Sequence, residues 1–573
     1  MYVAKIPNRN SPPTYLLRES YRENGQVKNR TLTNISHLPL EQIQLLSRVL
    51  KGEPLLPVDE VFQILRSLPH GHVQAVLDMF AHLKLPSLIA SQPCRQRDLV
   101  LAMIAQRILY PGSKLATTRL WKNNTLGEEL GVLDAEVEEL YLALDWLLGR
   151  QRRIENKLAK RHLHHDDLVH YDVSSSSYTG ATCILARFGK NRDGRSDLPC
   201  IVYGVMTDDE GRPISVDVYP GNTGDPTTVP EQMEKLKTRF HLERVVAVGD
   251  RGMLTQTQIN LLRKRPGLGW LSALRTEGIR KLLDKGRLER SLFDEQNLAE
   301  IDSPDFPGER LVACYNPILA ERRRRKREAL LTATEAQLQR IAKEIDRRTK
   351  KLLKKDEIGV KVGRVLYKHK VGKHFHLTIE DNLLKWQRKE QLIEQETALD
   401  GIYVIRTSES AEKLSAENAV RGYKRLADVE QAFRSLKGLE LLVRPIHHRL
   451  AERVKAHIFV CLLAYYVQWH LKRAWSALLF ADEHLHEHRM ERDPVASAQP
   501  AAEVQAKKIE RQTSEGNELQ SFRTLLDELR TQSRNTCQFK KGNSVIHITR
   551  VTEPTALQNE AFRLLAEYCS QQP

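Results

Sequence analysis

Tyr423–Lys437, read YKRLADVEQAFRSLK, is the stretch on which the fold turns, and its centre is Glu430. On a helix of 3.6 residues per turn, positions seven apart fall nearly on one line. Tyr423, Glu430 and Lys437 are therefore expected on one face, with Phe433 and Arg434 a turn beyond the glutamate. A carboxylate there can hold a hard cation, and the ammonium and guanidinium groups beside it suit phosphate oxygens. Alone, the pattern equally describes a solvated amphipathic helix with ordinary charge pairing. The strands far upstream decide between the two.

Composition narrows the field first. The chain has 573 residues, 41% hydrophobic, enough for roughly three or four domains with real cores. Its 89 Lys and Arg against 73 Asp and Glu give a net charge of +16 and a pI near 9.4, so a polyanionic partner is expected. The seven cysteines (Cys94, Cys183, Cys200, Cys314, Cys461, Cys537 and Cys569) are odd in number and form no C-x-x-C pair. That pattern argues for a reducing compartment and against zinc ribbons or a disulfide framework. The start, MYVAKIPNRNSPPTYLL, lacks the build of a signal peptide, and the most apolar stretch, His457–Val467, is too short to span a bilayer. A soluble, intracellular protein is expected.

Residues 14–36 alternate as a β-hairpin with Asn24-Gly25 at the turn. From Leu40 to His162 the pattern predicts helices, among them VFQILRSL, HVQAVLDMFAHL, RDLVLAMIAQRIL and AEVEELYLALDWLLGRQRRIENKLAKRHL. A basic helical module ahead of a core suits DNA binding, although no helix-turn-helix spacing stands out.

At Leu168 the texture changes. LVHYDVSSSSY predicts a short apolar strand holding Asp172, and a carboxylate there is costly unless it binds a cation or is hydrogen-bonded. The serines Ser174 to Ser177 lack the G-x-S-x-G elbow of a nucleophile. IVYGVMT (201–207) and PISVDVY (213–219), joined by DDEGR, complete an antiparallel three-stranded meander. TVPEQMEKLKTRF then predicts a helix, and RVVAVGDRGM (244–253) a fourth strand ending at Asp250. A mixed sheet with a crossover helix can bring Asp172 and Asp250 to one edge.

YDVSSSSY, PISVDVYPGNTGD, VVAVGDRGM and YKRLADVEQAFRSLK followed by VRPIHHRLAERVKAHIFVCLLA, in that order, resemble the DDE transposases of bacterial insertion sequences. The branch resembled carries a Tyr-x2-Arg-x3-Glu-x6-Lys signature on its last catalytic helix. The resemblance implies metal-binding catalytic carboxylates at Asp172, Asp250 and Glu430. It places Tyr423 and Lys437 at the signature tyrosine and lysine. The signature arginine position is Leu426, so Arg425 or Arg434 is expected to take over its phosphate contact. With Arg251 these complete the expected DNA-binding set: Tyr423, Arg425, Arg434, Lys437 and Arg251.

The fold implied is α/β: a ribonuclease-H-like mixed-sheet catalytic core with an inserted domain before the last catalytic helix, preceded by a helical N-terminal domain. Asp250 to Glu430 is more than twice the interval from Asp172 to Asp250, which leaves room for that insertion. LGWLSALRT (268–276) is expected in the core, and GERLVACYN (308–316) and GIYVIRTS (401–408) in the insertion. Between them Leu331, Thr334, Leu338, Ile341, Ile345 and Leu352 recur at helical steps, as in a short coiled coil or helical hairpin that starts at the basic run Arg322–Arg327. The run is a solvated face or a track for a phosphate backbone. Trp270 and Trp386 are expected in cores rather than stacked on a displaced base. The expected division is 1–39 (N-terminal β-hairpin element), 40–163 (helical, DNA-binding), 164–276 (catalytic core, first part), 277–408 (insertion with a basic coiled-coil-like helix), 409–475 (catalytic core, second part) and 476–573 (polar linker and tail).

The chemistry implied uses two Mg²⁺ ions, with Mn²⁺ as a substitute, for in-line phosphodiester displacement. Water frees a 3′-hydroxyl at the element end, and that hydroxyl attacks target DNA. Expected partners are double-stranded DNA, as element ends and target, and a second copy in a homodimer, with no membrane. The expected location is cytoplasmic and nucleoid-associated. A nuclease of the same fold that only hydrolyses, and a catalytically silent DNA-binding protein, are the alternatives. His162, His164 and His165 with Asp166 and Asp167, and His484, His486 and His488, lack metal-site spacing and are expected in solvated linkers. His447-His448 are expected near DNA or at a helix end. QPAAEVQAKK and RQTSEGNE predict linker, followed by a helix in SFRTLLDELRTQ, a strand in VIHITRV and a last helix.

Overall fold

The computed structural model describes residues 1–9, 11–53, 61–348, 352–497, 499–513, 515–541 and 544–571. The chain divides into two compact units, Met1–Leu68 with Ser533–Glu553, and Pro69–Gln532 with Pro554–Pro573.

In the first unit, strand β1 (Tyr2–Ile6) pairs antiparallel with β2 (Thr14–Glu23), which forms the expected hairpin with β3 (Gln26–Asn34). Asn24 and Gly25 at its turn take φ of 53° and 83°, the left-handed angles that a two-residue hairpin turn needs. Helix α1 (Leu40–Leu50) follows, with Ile43 buried. VFQILRSL is not a helix, contrary to expectation: β4 (Phe62–Pro69) joins a three-stranded sheet with the strands Ser533–Lys541 and Ser544–Val551. Its apolar residues fit either period, and the hydrogen-bonding partner that decides the outcome lies near the other end of the chain.

In the second unit, helices α2 (Gly71–His82), α3 (Arg95–Leu109), α4 (Val137–Leu148) and α5 (Gln151–His162) precede a mixed sheet. Its strands are β5 (Leu168–Ser177), β6 (Cys200–Thr207), β7 (Pro213–Pro220), β8 (Val245–Val248), β9 (Leu268–Ala273), β10 (Leu298–Ile301), β11 (Arg310–Tyr315) and, further on, β14 (Ile402–Thr407). Their order is β10-β11-β14-β9-β8-β5-β6-β7. β5, β6 and β7 form the expected antiparallel meander, helix α6 (Asp225–Glu234) leads from β7 to β8, and β8 runs parallel to both β5 and β9.

GERLVACYN and GIYVIRTS, expected in the insertion, are corrected to strands of this sheet. β11 pairs with β14, and β14 with β9. Leu311, Val312, Ala313 and Cys314 are buried on both faces, so β11 has to lie inside a covered sheet. Glu309, just before β11, accepts both arms of Arg406 on β14 (2.5 and 2.6 Å) and Arg263 of α7 (Gln256–Arg263) at 2.5 Å.

Between β11 and β14 stand α8 (Pro317–Asp346) and α9 (Lys355–His369), packed on each other as the expected helical hairpin, and the ribbon β12 (Phe375–Glu380) with β13 (Leu383–Arg388). Leu331, Thr334, Leu338, Ile341 and Ile345 are buried, but Leu352 is exposed. The basic run divides: Arg327 turns inward to Asp400, and Arg324 and Arg325 pair with Glu321 at 2.7 and 2.5 Å. Trp270 is buried and Trp386 packs in the cluster of the helical hairpin.

Helix α10 (Ala416–Lys424) leads into α11 (Leu426–Lys437), and α12 (Ala451–Ala474) follows. α12 is buried nearly all round because α2, α3, α4 and β7 surround it. No helix among the described residues is long and apolar enough to cross a membrane. His162 is not in a solvated linker: it is buried, and its Nε2 meets Tyr466 Oη at 2.8 Å. His448, expected near DNA or at a helix end, is buried just before α12. Part of QPAAEVQAKK is the helix Ala502–Glu510 rather than linker, with good helix formers and Val504 buried. RQTSEGNE includes residue 514, outside the described residues. The helices Phe522–Arg530 and Ala556–Gln571 and the strand Ser544–Val551 match expectation.

Candidate active site

β5 and β8 fix the first two carboxylates. The parallel register pairs Leu168 with Val246, Val169 with Ala247 and His170 with Val248. Two residues beyond the last pair on each strand, that register sets Asp172 opposite Asp250. Side chains alternate along a strand, so Asp172 shares the face of Leu168 and His170. That face lies under α10 and α11, where His170 Nε2 meets the Gly422 carbonyl at 2.9 Å.

Asp172 is partly buried, and its Oδ1 accepts the Val173 N–H at 2.7 Å. Burial, reinforced by the negative charge of Asp250, pushes its carboxyl up to about 7. Asp250 is exposed and turns the chain after β8, its Oδ1 accepting the N–H groups of Gly252 (2.9 Å) and Met253 (2.7 Å).

The segment Tyr423–Lys437 is not one helix. Tyr423 lies in the last turn of α10, and Asp428 N donates to Arg425 O at 2.8 Å, an i−3 bond that tightens the joint between the helices. Only Glu430 and Lys437 therefore keep the seven-residue alignment. Val429, Ala432, Phe433 and Leu436 bury the inner face of α11. Glu430 stands on the outer face, 65% exposed, with Arg434 Nη2 3.7 Å away. Tyr423 links the group: burial first, then the charges of Asp250 and Glu430, raise its hydroxyl to about 12, with Arg251 opposing.

The expected phosphate contacts separate into two kinds. Arg251 and Arg434 are exposed beside the carboxylates. Arg425 instead binds Asp209 on the β6–β7 turn, and the structure does not bring it to the carboxylates. Lys437 donates to the Ser175 carbonyl (2.5 Å) and to Asp193 (3.2 Å), and burial lowers its ammonium below the usual range.

Asp193, Arg192 and Asp225 were missed in the sequence. Asp193 also accepts Ser177 N–H at 2.7 Å and holds Arg444, while Arg192 bridges to Asp225 at 2.6 Å and both act electrostatically on Asp172. Their only signal was the turn dipeptide Asp193-Gly194. The serine hydroxyls are structural: Ser175 donates to Lys190 O (2.8 Å) and Ser176 meets Tyr203 Oη (2.9 Å).

Asp172 and Asp250 fit a hard divalent cation. Both are oxygen donors, and a cation between them would offset the burial and the Asp250 charge that together raise Asp172. Among the described residues no three His, Cys, Asp or Glu side chains stand together as a metal cluster. Glu430 is exposed and pairs with Arg434.

Residues 181–467, half of the chain, match the family model described as the transposase DDE domain, and residues 3–55 match the N-terminal domain of the IS1634 family transposases. The chain is an insertion-sequence transposase of the DDE type. No curated protein matches it. Membership implies a metal-dependent enzyme that cuts and joins DNA. The matched span of the transposase contains Asp250, Tyr423, Glu430 and Lys437 and begins just past Asp172.

The raised carboxyl gives a stability prediction for the transposase. A native pKa near 7 against 3.8 means that the folded state holds this proton more tightly, so stability falls as pH rises from about 4 to 7. Asp172→Asn removes that loss. In denaturant melts without divalent ions the variant is expected to match the parent at about pH 4 and exceed it by on the order of 1–3 kcal/mol at about pH 8. An advantage equal at both pH values would show that Asp172 carries no such burden.

Proposed function

We propose that this transposase cleaves insertion-sequence ends and joins them to target DNA by two-metal phosphodiester transfer at Asp172, Asp250 and Glu430. The observation that carries the reading is Asp172 held in β5 opposite Asp250, beneath the helix that bears Glu430. Mg²⁺, with Mn²⁺ as a substitute, would be held by Asp172 and Asp250 and completed by Glu430; when bound it supplies Lewis acidity to the phosphodiester. Arg251 and Arg434 steady the phosphate charge. Arg425 and Lys437 set the helices in place through Asp209 and Asp193, and Tyr423 stands within electrostatic reach of Asp250 and Glu430.

The strand order β9-β8-β5-β6-β7, with its antiparallel meander and two parallel neighbours, supports a ribonuclease-H-like core. Residues between β11 and β14 serve as the inserted part. The helices before β5 bind DNA, and the active form is a homodimer bridging two element ends in the cytoplasm, at the nucleoid.

The test is labelled DNA carrying the repeats that flank the gene, incubated with the full chain and Mg²⁺ or EDTA. Metal-dependent nicking at the repeat boundary, then joining to a second DNA, is expected. Cleavage without joining would establish the nuclease alternative instead, and binding without cleavage a silent DNA-binding protein.

A further inference from the structure

Helix α5 covers the free edge of the sheet. Its Glu155 accepts Val216 N–H of β7 at 3.1 Å and Gln151 donates to Val216 O at 2.8 Å, while Ile154, Leu158 and Ala159 are buried. The opposite face of the same helix is cationic. Arg150, Arg152, Arg153, Lys157 and Lys160 line a cavity of about 540 Å³, and Arg150, Arg153 and Lys157 continue into a second of about 380 Å³ beside Ser91 and Gln92.

No described residue lining either cavity is acidic. Arg152, Arg153 and Lys160 are exposed, and none has an ion pair among the described residues. Lys157 holds the carbonyls of Ser87 (2.7 Å) and Leu88 (3.2 Å), and burial together with Arg153 and Arg161 lowers its ammonium. Like charges crowded on a face whose cavities no described carboxylate lines suit a polyanion. Arg153 to Lys160 spans about 10 Å at 1.5 Å per residue, longer than one phosphate group needs. Among the described residues no exposed apolar side chain lines the cavities to enter a lipid surface; Trp146 is only partly exposed.

We propose that the outer face of α5 is a binding surface for the phosphate backbone of duplex DNA. It stands beyond β6 and β7 from Asp172, roughly 20 Å away by strand and layer spacings. It therefore grips DNA flanking the segment at the carboxylates, by charge and without reading bases. The inference rests on the transposase reading above, which gives DNA binding to the helices before β5, and names the face of α5 and the phosphate backbone as the contact.

The experiment uses the full chain and a fluorescent ~40-base-pair duplex of arbitrary sequence, with affinity followed from about 50 to 200 mM salt. R152A/R153A/K160A is expected to weaken binding and to flatten the slope of log affinity against log salt by about 2–3, near 0.9 for each phosphate no longer neutralised. R152K/R153K, which keeps the charge, is expected to retain the parental slope. An unchanged slope in the triple variant, or binding to anionic-lipid vesicles but not to duplex, overturns the proposal. Cutting is assayed in parallel: a parent that cuts while the slope ignores α5 refutes only this surface. A parent that never cuts while the slope depends on α5 refutes only the reaction.

Discussion

Glu430→Ala is expected to lower DNA cutting by roughly 1,000-fold or more, about 4 kcal/mol of transition-state stabilisation, with duplex binding nearly unchanged. The position makes this a clean experiment. Glu430 is 65% exposed and its one ion pair among the described residues, to Arg434, is long at 3.7 Å. Exposed pairs of that kind contribute about 0–1 kcal/mol, so lost activity could not be ascribed to unfolding. Asp172→Ala and Asp250→Ala should lose as much cutting, although Asp250→Ala also removes the acceptor for two turn N–H groups and should melt earlier. The readout is single-turnover nicking of repeat-end DNA beside anisotropy with the same duplex. Robust cutting by Glu430→Ala would remove this residue from the proposed site.

Glu309→Ala is expected to destabilise the second unit by about 3–5 kcal/mol. Its carboxylate is fully buried and takes the two arms of Arg406 as well as Arg263. Deletion leaves the Arg406 guanidinium, only 7% exposed, without its carboxylate partner near the end of β14. The cost comes less from a lost attraction than from an uncompensated buried charge. Urea denaturation, read as a shift in midpoint at constant slope, checks it. A shift worth less than about 1 kcal/mol would mean that water reaches Arg406 and the pair counts as a surface one.

What could be read from the residues was what neighbouring residues decide. An apolar run with one aspartate marked β5, the turn DDEGR marked the meander, and Asn24-Gly25 marked the hairpin. The order of these blocks pointed to the family. What escaped was set by distant partners. β4 shows apolar spacing that a helix could share, and its pairing strand begins at Ser533. Lys437 and Arg425 looked available for phosphate because Asp193 and Asp209, which engage them, lie on turns far upstream. The break at Arg425 was invisible to a seven-residue count, since an i−3 hydrogen bond changes the winding without changing the residue types.

The pairing of Tyr315 with Ile402 gives the chain between them an unusual freedom. Where that excursion departs and where it returns are antiparallel neighbours on one sheet, so topologically the whole helical hairpin and its ribbon amount to an enlarged β-turn. Closing such a turn costs entropy that grows only with the logarithm of its length. Lengthening, trimming or exchanging it would change how far this part of the chain extends from the sheet while β5 and β8 keep their register. Reach and chemistry can thus diverge independently, the first by insertion and deletion, the second by single substitutions.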